Sequence, residues 1–153
     1  MFSTGFVIAV IGIALCVLLC GLGSAIGLYK TSSAAAGVAG EDPKKFGGTL
    51  TMLMLLPATQ GLYGFVIGIM ASNEITVKTA MTLAQGWSIF AACLPMALTG
   101  FISAFFQSRG AVNGIYSAGK QSNVGFKIVM GPAMIELYSL LGLVISIMVL
   151  MAL

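Results

Sequence analysis

The chain has 153 residues, 59% of them hydrophobic and only 7% charged, with a mean hydropathy of +1.08. A soluble domain carries about 25% charge, so this is an integral membrane protein, and a scattered net charge of +3 excludes nucleic-acid binding. There is no histidine, which excludes a His-ligated metal site; Cys16, Cys20 and Cys93 lie in apolar spans without zinc or redox spacing and read as small apolar side chains.

The first span is Gly5–Leu28. Nothing before Lys30 is charged, so the basic start of a signal peptide is missing, and the span reads as a retained transmembrane helix. Gly5, Ala9, Gly12, Cys16, Cys20, Gly23 and Gly27 follow one another at steps of three and four. They form one face of small residues, which lets helix backbones approach closely in lipid and predicts a tightly packed bundle or ring interface. Within this helix, the stretch from Gly23 to Thr31 faintly resembles a phosphate loop. It lacks the Gly-Lys-Ser/Thr spacing and lies inside a membrane helix, so that reading is rejected.

A polar connection is expected over 30–45, turning at Gly40-Glu41-Asp42-Pro43. A second uncharged span covers Phe46–Asn73, a short connection Glu74–Lys78, a third span Thr79–Ser108, and a fourth span Ile128–Leu153. Each exceeds the roughly 20 residues that a helix needs to cross the hydrocarbon core. The expected fold class is an all-α membrane protein with four transmembrane helices. Lys30, Lys44 and Lys45 in the first connection, and Arg109, Lys120 and Lys127 in the third, outweigh Lys78 in the second. By the positive-inside rule, loops 30–45 and 109–127 are cytoplasmic and both termini lie outside.

The chain repeats itself. Pro57-Ala58-Thr59-Gln60-Gly61-Leu62-Tyr63 aligns with Pro132-Ala133-Met134-Ile135-Glu136-Leu137-Tyr138 at an offset of 75, and Ser24-Ala25 and Lys30 align with Ser103-Ala104 and Arg109 at an offset of 79. Two tandem parallel hairpins follow, 1–75 and 76–153, with Gly61 in the first where the second has Glu136.

Glu136 is the single acid from 128 to 153. A charge at the centre of a membrane helix costs roughly 2.5–3.5 kcal/mol or more unless compensated, which makes it a functional-site candidate. Midway between 107 and 136 lies Gly119-Lys120-Gln121-Ser122-Asn123, the expected turn, so Gln107 and Glu136 should be level. This requires the third helix to continue past Arg109, which then snorkels toward the interface. Thr59, Gln60 and Tyr63 follow Leu56 at i+3, i+4 and i+7 on one face. Pro57 disturbs the helix there and the carbonyl of Leu53, and backbone oxygens beside such interruptions can bind ions. The Thr59 hydroxyl, the Gln60 and Gln107 amides and the Glu136 carboxylate are hard oxygen donors around one negative charge. A proton site needs only the carboxyl and one partner, so the excess of polar groups favours a bare cation, Na⁺. Tyr63 can donate to the carboxylate. No nucleophile–base pair is present, so no enzyme activity is expected of the chain alone.

Over nearly its whole length the chain resembles the sixteen-kilodalton proteolipid of V-type rotary ATPases, the duplicated rotor-ring subunit. The most specific part runs from Leu56 to Gly64, together with Gln107 and Glu136. It is similar to the sodium-translocating bacterial branch, which implies a Na⁺ site made by the Leu56 carbonyl, Thr59, Gln60, Gln107 and Glu136, with Tyr63 on the carboxylate. Leu137, directly after the acid, departs from some relatives. The resemblance further implies a membrane ring of identical copies with the first and third helices inside, a stator subunit with a basic group that displaces the ion, and central-stalk subunits of the same ATPase. A proton-translocating ring is the alternative. A small four-helix exporter or a tetraspan structural protein competes less well: the former lacks the duplication, and the latter has no reason to align these polar groups.

Overall fold

The computed structural model describes residues 2–77, 81–121 and 124–153. Lys78, Thr79, Ser122 and Asn123, which fall in the expected second connection, third span and last turn, lie outside the described residues. The described chain consists of helices α1 (Thr4–Glu41), α2 (Gly48–Leu55), α3 (Thr59–Val77), α4 (Leu83–Lys120) and α5 (Lys127–Met151), with short 3₁₀ turns at Pro43–Lys45 and Leu56–Ala58. Four stretches are long and apolar enough to cross a membrane, α2 and α3 together forming one of them. This is a multi-pass, all-helical membrane protein.

The expected polar connections are mostly helix. α1 runs to Glu41 and α4 to Lys120, 38 residues each. At 1.5 Å per residue that is about 57 Å, nearly twice the hydrocarbon thickness. Charge marks where the membrane ends, but it does not stop a helix. Ala34-Ala35-Ala36 is strong helix former, and termination waits for Asp42, whose extended backbone (φ −149°) precedes Pro43 and whose carboxylate accepts from Lys44 N–H at 3.1 Å. At their starts, Ser3 caps α1 by accepting from Phe6 N–H, and Thr82 and Gln85 form a reciprocal capping box on α4.

α1 and α4 lie side by side, and the small-residue face makes this possible. All seven of its members are buried. A Cβ on Gly12 would sit 2.7 Å from Phe90 Cα, and one on Gly23 3.1 Å from the Phe101 Cα. The outward faces are apolar and exposed, with Leu62, Phe65, Leu141 and Met148 each more than half exposed.

The interior has three layers. One apolar cluster contains Cys16, Cys20, Ile67, Cys93 and Met96. A second, toward the long helix ends, contains Ala35, Val38, Leu50, Leu53 and Ile115. Ser24, Thr31, Gln60, Ser103, Gln107 and Ser108 are buried polar residues on the helix stretches that separate them. Next to this layer Lys30 and Arg109 both stack on the Phe105 ring, 4.6 and 4.3 Å from its centroid. Arg109 thus rests its head on an aromatic face at the layer's edge, and the helix continues past it.

Candidate ion-binding site

The membrane-crossing unit that begins at Gly48 is broken where Pro57 removes an N–H. α2 ends at Leu55, Leu56–Ala58 turns as 3₁₀, and α3 begins at Thr59. The break delivers Thr59, Gln60 and Tyr63 to one side of α3. From the second hairpin α4 brings Gln107 and α5 brings Glu136.

These side chains form a continuous hydrogen-bonded chain across three helices. Gln60 Nε2 donates to Gln107 Oε1 at 2.7 Å. Gln107 Nε2 donates to the Pro132 carbonyl at 3.1 Å and to Glu136 Oε2 at 3.4 Å. The Tyr63 hydroxyl donates to Glu136 Oε1 at 2.8 Å. Gln107 and Glu136 are therefore level, as the turn position requires. The Thr59 hydroxyl is directed elsewhere: it donates to the Leu56 carbonyl at 3.0 Å, within the break. Both glutamines are fully buried, while Leu56, Thr59, Tyr63 and Glu136 are half-buried.

Both carboxylate oxygens of Glu136 thus accept hydrogen bonds. At the other end of the chain Gln60 Oε1 is buried and finds no hydrogen-bond partner among the described residues. An orphaned buried acceptor costs about 1–3 kcal/mol. A bare cation at this oxygen would supply the missing partner. The donor set is oxygen throughout, hard and mostly neutral, which suits an alkali cation.

Three features of the site escaped the sequence reading. The Pro132 carbonyl holds Gln107. Ser139 donates to the Glu136 carbonyl at 2.8 Å. On α1, Ser24 and Thr31 bond the two ends of the broken helix, Gly61 N–H and the Met54 carbonyl. The last pair had a signal: a serine and a threonine seven residues apart, two turns of one helix face, one inside the first span and the other just past Lys30.

Residues 11–71 and 90–149 match the sequence profile of the ATP synthase C subunit family, one stretch in each hairpin. The chain belongs to this family. It is 41% identical over 142 residues to the V-type sodium ATPase subunit K of Enterococcus hirae, covering 93% of this chain and 89% of the relative. It is 34% identical over 144 residues to the A-type ATP synthase subunit K of Methanocaldococcus jannaschii, covering 94% of this chain and 62% of that one. The tandem match agrees with the repeat read from Pro57–Tyr63 and Pro132–Tyr138. Within this family member, the sole acid of the fourth span stands against Tyr63 from the first hairpin and Gln107 from the second.

Proposed function

We propose that the chain is a rotor-ring subunit of a V-type ATPase that carries Na⁺ across the membrane and performs no catalysis itself. Hairpins 1–75 and 76–153 form one protomer, and identical copies close a ring with α1 and α4 on the inner circle. The observation that carries the sodium reading is the unpartnered Gln60 Oε1, at the end of a hydrogen-bonded chain that leads to Glu136. The ligands are the Leu56 carbonyl, Thr59, Gln60, Gln107 and Glu136, with Tyr63 holding the carboxylate.

Na⁺ is the cargo. Bound, it neutralises Glu136, so the loaded site can face lipid at little cost. A basic side chain on the stator favours the free carboxylate and releases the ion. ATP hydrolysis in other subunits turns the ring past this point, driven through the central stalk. Loops 30–45 and 109–127 face the cytoplasm, which follows from their lysines and arginine. Cysteines in place of Lys44 and Lys120 should react with an impermeant reagent from that side alone; labelling from the outer side reverses the orientation.

A carbodiimide reacts with a protonated, accessible membrane carboxyl, so Na⁺ and H⁺ should compete for Glu136. Raising Na⁺ should slow the labelling of Glu136, lowering the pH should demand more Na⁺ for equal protection, and K⁺ should protect poorly. Equal protection by Na⁺ and K⁺ overturns the sodium reading and leaves a proton ring.

A further inference from the structure

α1 contributes no ligand to the site, yet it touches the ligand-bearing break at three points. The Thr31 hydroxyl is fully buried and lies near three carbonyls, Gly27 at 3.2 Å, Leu28 at 3.1 Å and Met54 at 2.7 Å. A hydroxyl has one proton to give, and the shortest contact crosses to Met54, just before the break. Ser24 Oγ accepts from Gly61 N–H at 2.7 Å, just after it. Between them, a Cβ on Gly27 would lie 2.6 Å from Pro57 Cβ, so the proline ring is seated where that glycine leaves room. Ser24, Gly27 and Thr31 fall at i, i+3 and i+7, on one helix face.

The second hairpin supplies the control. It has the same Pro-Ala pair, yet α5 runs unbroken from Lys127 to Met151 through Pro132. At the repeat offset of 79, Ser24, Gly27 and Thr31 become Ser103, Phe106 and Gly110. Gly110 has no hydroxyl to hold a carbonyl, and a Cβ on it would approach Pro132 Cγ at 3.3 Å. Ser103 donates to Gly100 in its own helix, at 3.2 Å. A proline alone therefore does not open the helix. The opened helix occurs where both freed ends find a hydroxyl on the neighbour.

We infer that Ser24, Gly27 and Thr31 are positioning residues for the ion site, a three-point clamp that fixes the 3₁₀ break and thereby the Leu56 carbonyl, Thr59 and Gln60. This rests on the sodium reading above. Past the break, α3 has an anchor of its own. A Cβ on Gly64 would overlap Cys20, so that turn is pressed against α1 and keeps Tyr63 on Glu136 whether or not the clamp is made. The clamp should thus tune the cation and leave the proton chemistry of the carboxyl alone.

The test is carbodiimide labelling of intact rings in membranes, with two readouts: the Na⁺ concentration giving half protection of Glu136, and the pH profile of labelling without Na⁺. Thr31→Val keeps the shape and deletes the hydroxyl. It should raise the half-protecting Na⁺ by roughly threefold to tenfold, the loss expected for one ordinary hydrogen bond, with the pH profile unchanged. Thr31→Ser should restore the unmodified value. Ser24→Ala should act in the same direction and serves if Thr31→Val fails to yield rings. Na⁺ protection in the unmodified ring with no shift in either variant overturns the clamp alone. A pH profile displaced together with the Na⁺ requirement also overturns it, since general loosening of the helix would do that. Absence of Na⁺ protection in the unmodified ring removes the sodium reading, and the clamp with it.

Discussion

The same seven-residue pattern, from proline to tyrosine, is used twice in this chain and does two different things. In the first hairpin Pro57 sits in a break, Gln60 and Tyr63 reach across to Gln107 and Glu136 of the second hairpin, and Thr59 turns back to Leu56. In the second, Pro132 sits in an unbroken helix and Met134, Ile135 and Tyr138 occupy the matching places. Tyr63 bonds the carboxylate, whereas Tyr138 is 66% exposed. The carboxylate itself is on the other member of the pair. A side chain at Gly61 would start 3.2 Å from both Ser24 Cβ and Oγ, so an acid there would press on Ser24. The junction between the hairpins is thus polar and built, while the free flank of the second, a groove of about 480 Å³ beside Leu98, Ile102, Phe106, Ile135 and Tyr138, is apolar. In the proposed ring that flank meets the first hairpin of the next copy. Leu28 is there the counterpart of Gln107, at the offset of 79. In the proposed ring each chain thus has one polar junction, between its own hairpins, and one dry junction, with the next copy.

The most severe way to break this comparison is to move the acid. Glu136→Gln keeps the shape and loses the charge, and coupled ion transport should fall to background while rings still assemble. Adding Gly61→Glu to that variant should not restore transport, because the new side chain starts against Ser24 and its tip has no glutamine chain to join. Transport assays on reconstituted complexes decide it, and a recovered activity in the double variant would mean that the two junctions are interchangeable after all.

How much of this asymmetry was legible beforehand depends on whether its cause is local. The four spans were legible because hydropathy is summed over about twenty residues and errors average out. The close approach of α1 and α4 was legible in the spacing of Gly5, Gly12, Cys16, Gly23 and Gly27. The level placement of Gln107 with Glu136 followed from counting residues to a turn. The end of α1 was not legible, since Lys30 marks the interface and the helix runs on to Glu41, whereas counting to the turn already carried the third helix past Arg109, where α4 runs to Lys120. Nor was the different fate of Pro57 and Pro132, which share a Pro-Ala pair. What separates them is Thr31 against Gly110 on another helix, a tertiary fact that no window around the proline contains. The direction of the Thr59 hydroxyl, toward Leu56 rather than toward the acid, depends in turn on that break.

The comparison sharpens when one ligand is exchanged for its counterpart. Gln60→Ile gives the first hairpin the residue that the second has at Ile135. It deletes the amide that bonds Gln107 and carries the unpartnered oxygen. A charge-assisted contact is worth about 1.5–3 kcal/mol, so the Na⁺ needed to protect Glu136 from carbodiimide should rise about tenfold to over a hundredfold. Labelling without Na⁺ should persist, because the acid keeps Tyr63. An unchanged Na⁺ requirement would remove Gln60 from the ligand set.

The mildest and most direct contrast is between the two tyrosines. Tyr63→Phe and Tyr138→Phe each delete one hydroxyl at the same place in the repeat, and neither changes the packing of a ring face. Tyr63 donates to Glu136 Oε1 at 2.8 Å, so its loss leaves one carboxylate oxygen without that donor and free to rotate away from Gln107. The hydroxyl does not touch the ion directly in this reading, and the carboxylate can recover part of the energy from Na⁺ itself. The relevant magnitude is therefore an ordinary hydrogen bond, about 0.5–1.5 kcal/mol, or about twofold to twelvefold in the protective Na⁺ concentration. Tyr138→Phe should leave that concentration unchanged, because Tyr138 is exposed beside an apolar groove. Equal effects from the two substitutions would show that the exposed tyrosine also acts on the carboxylate, and that the dry junction takes part in ion binding.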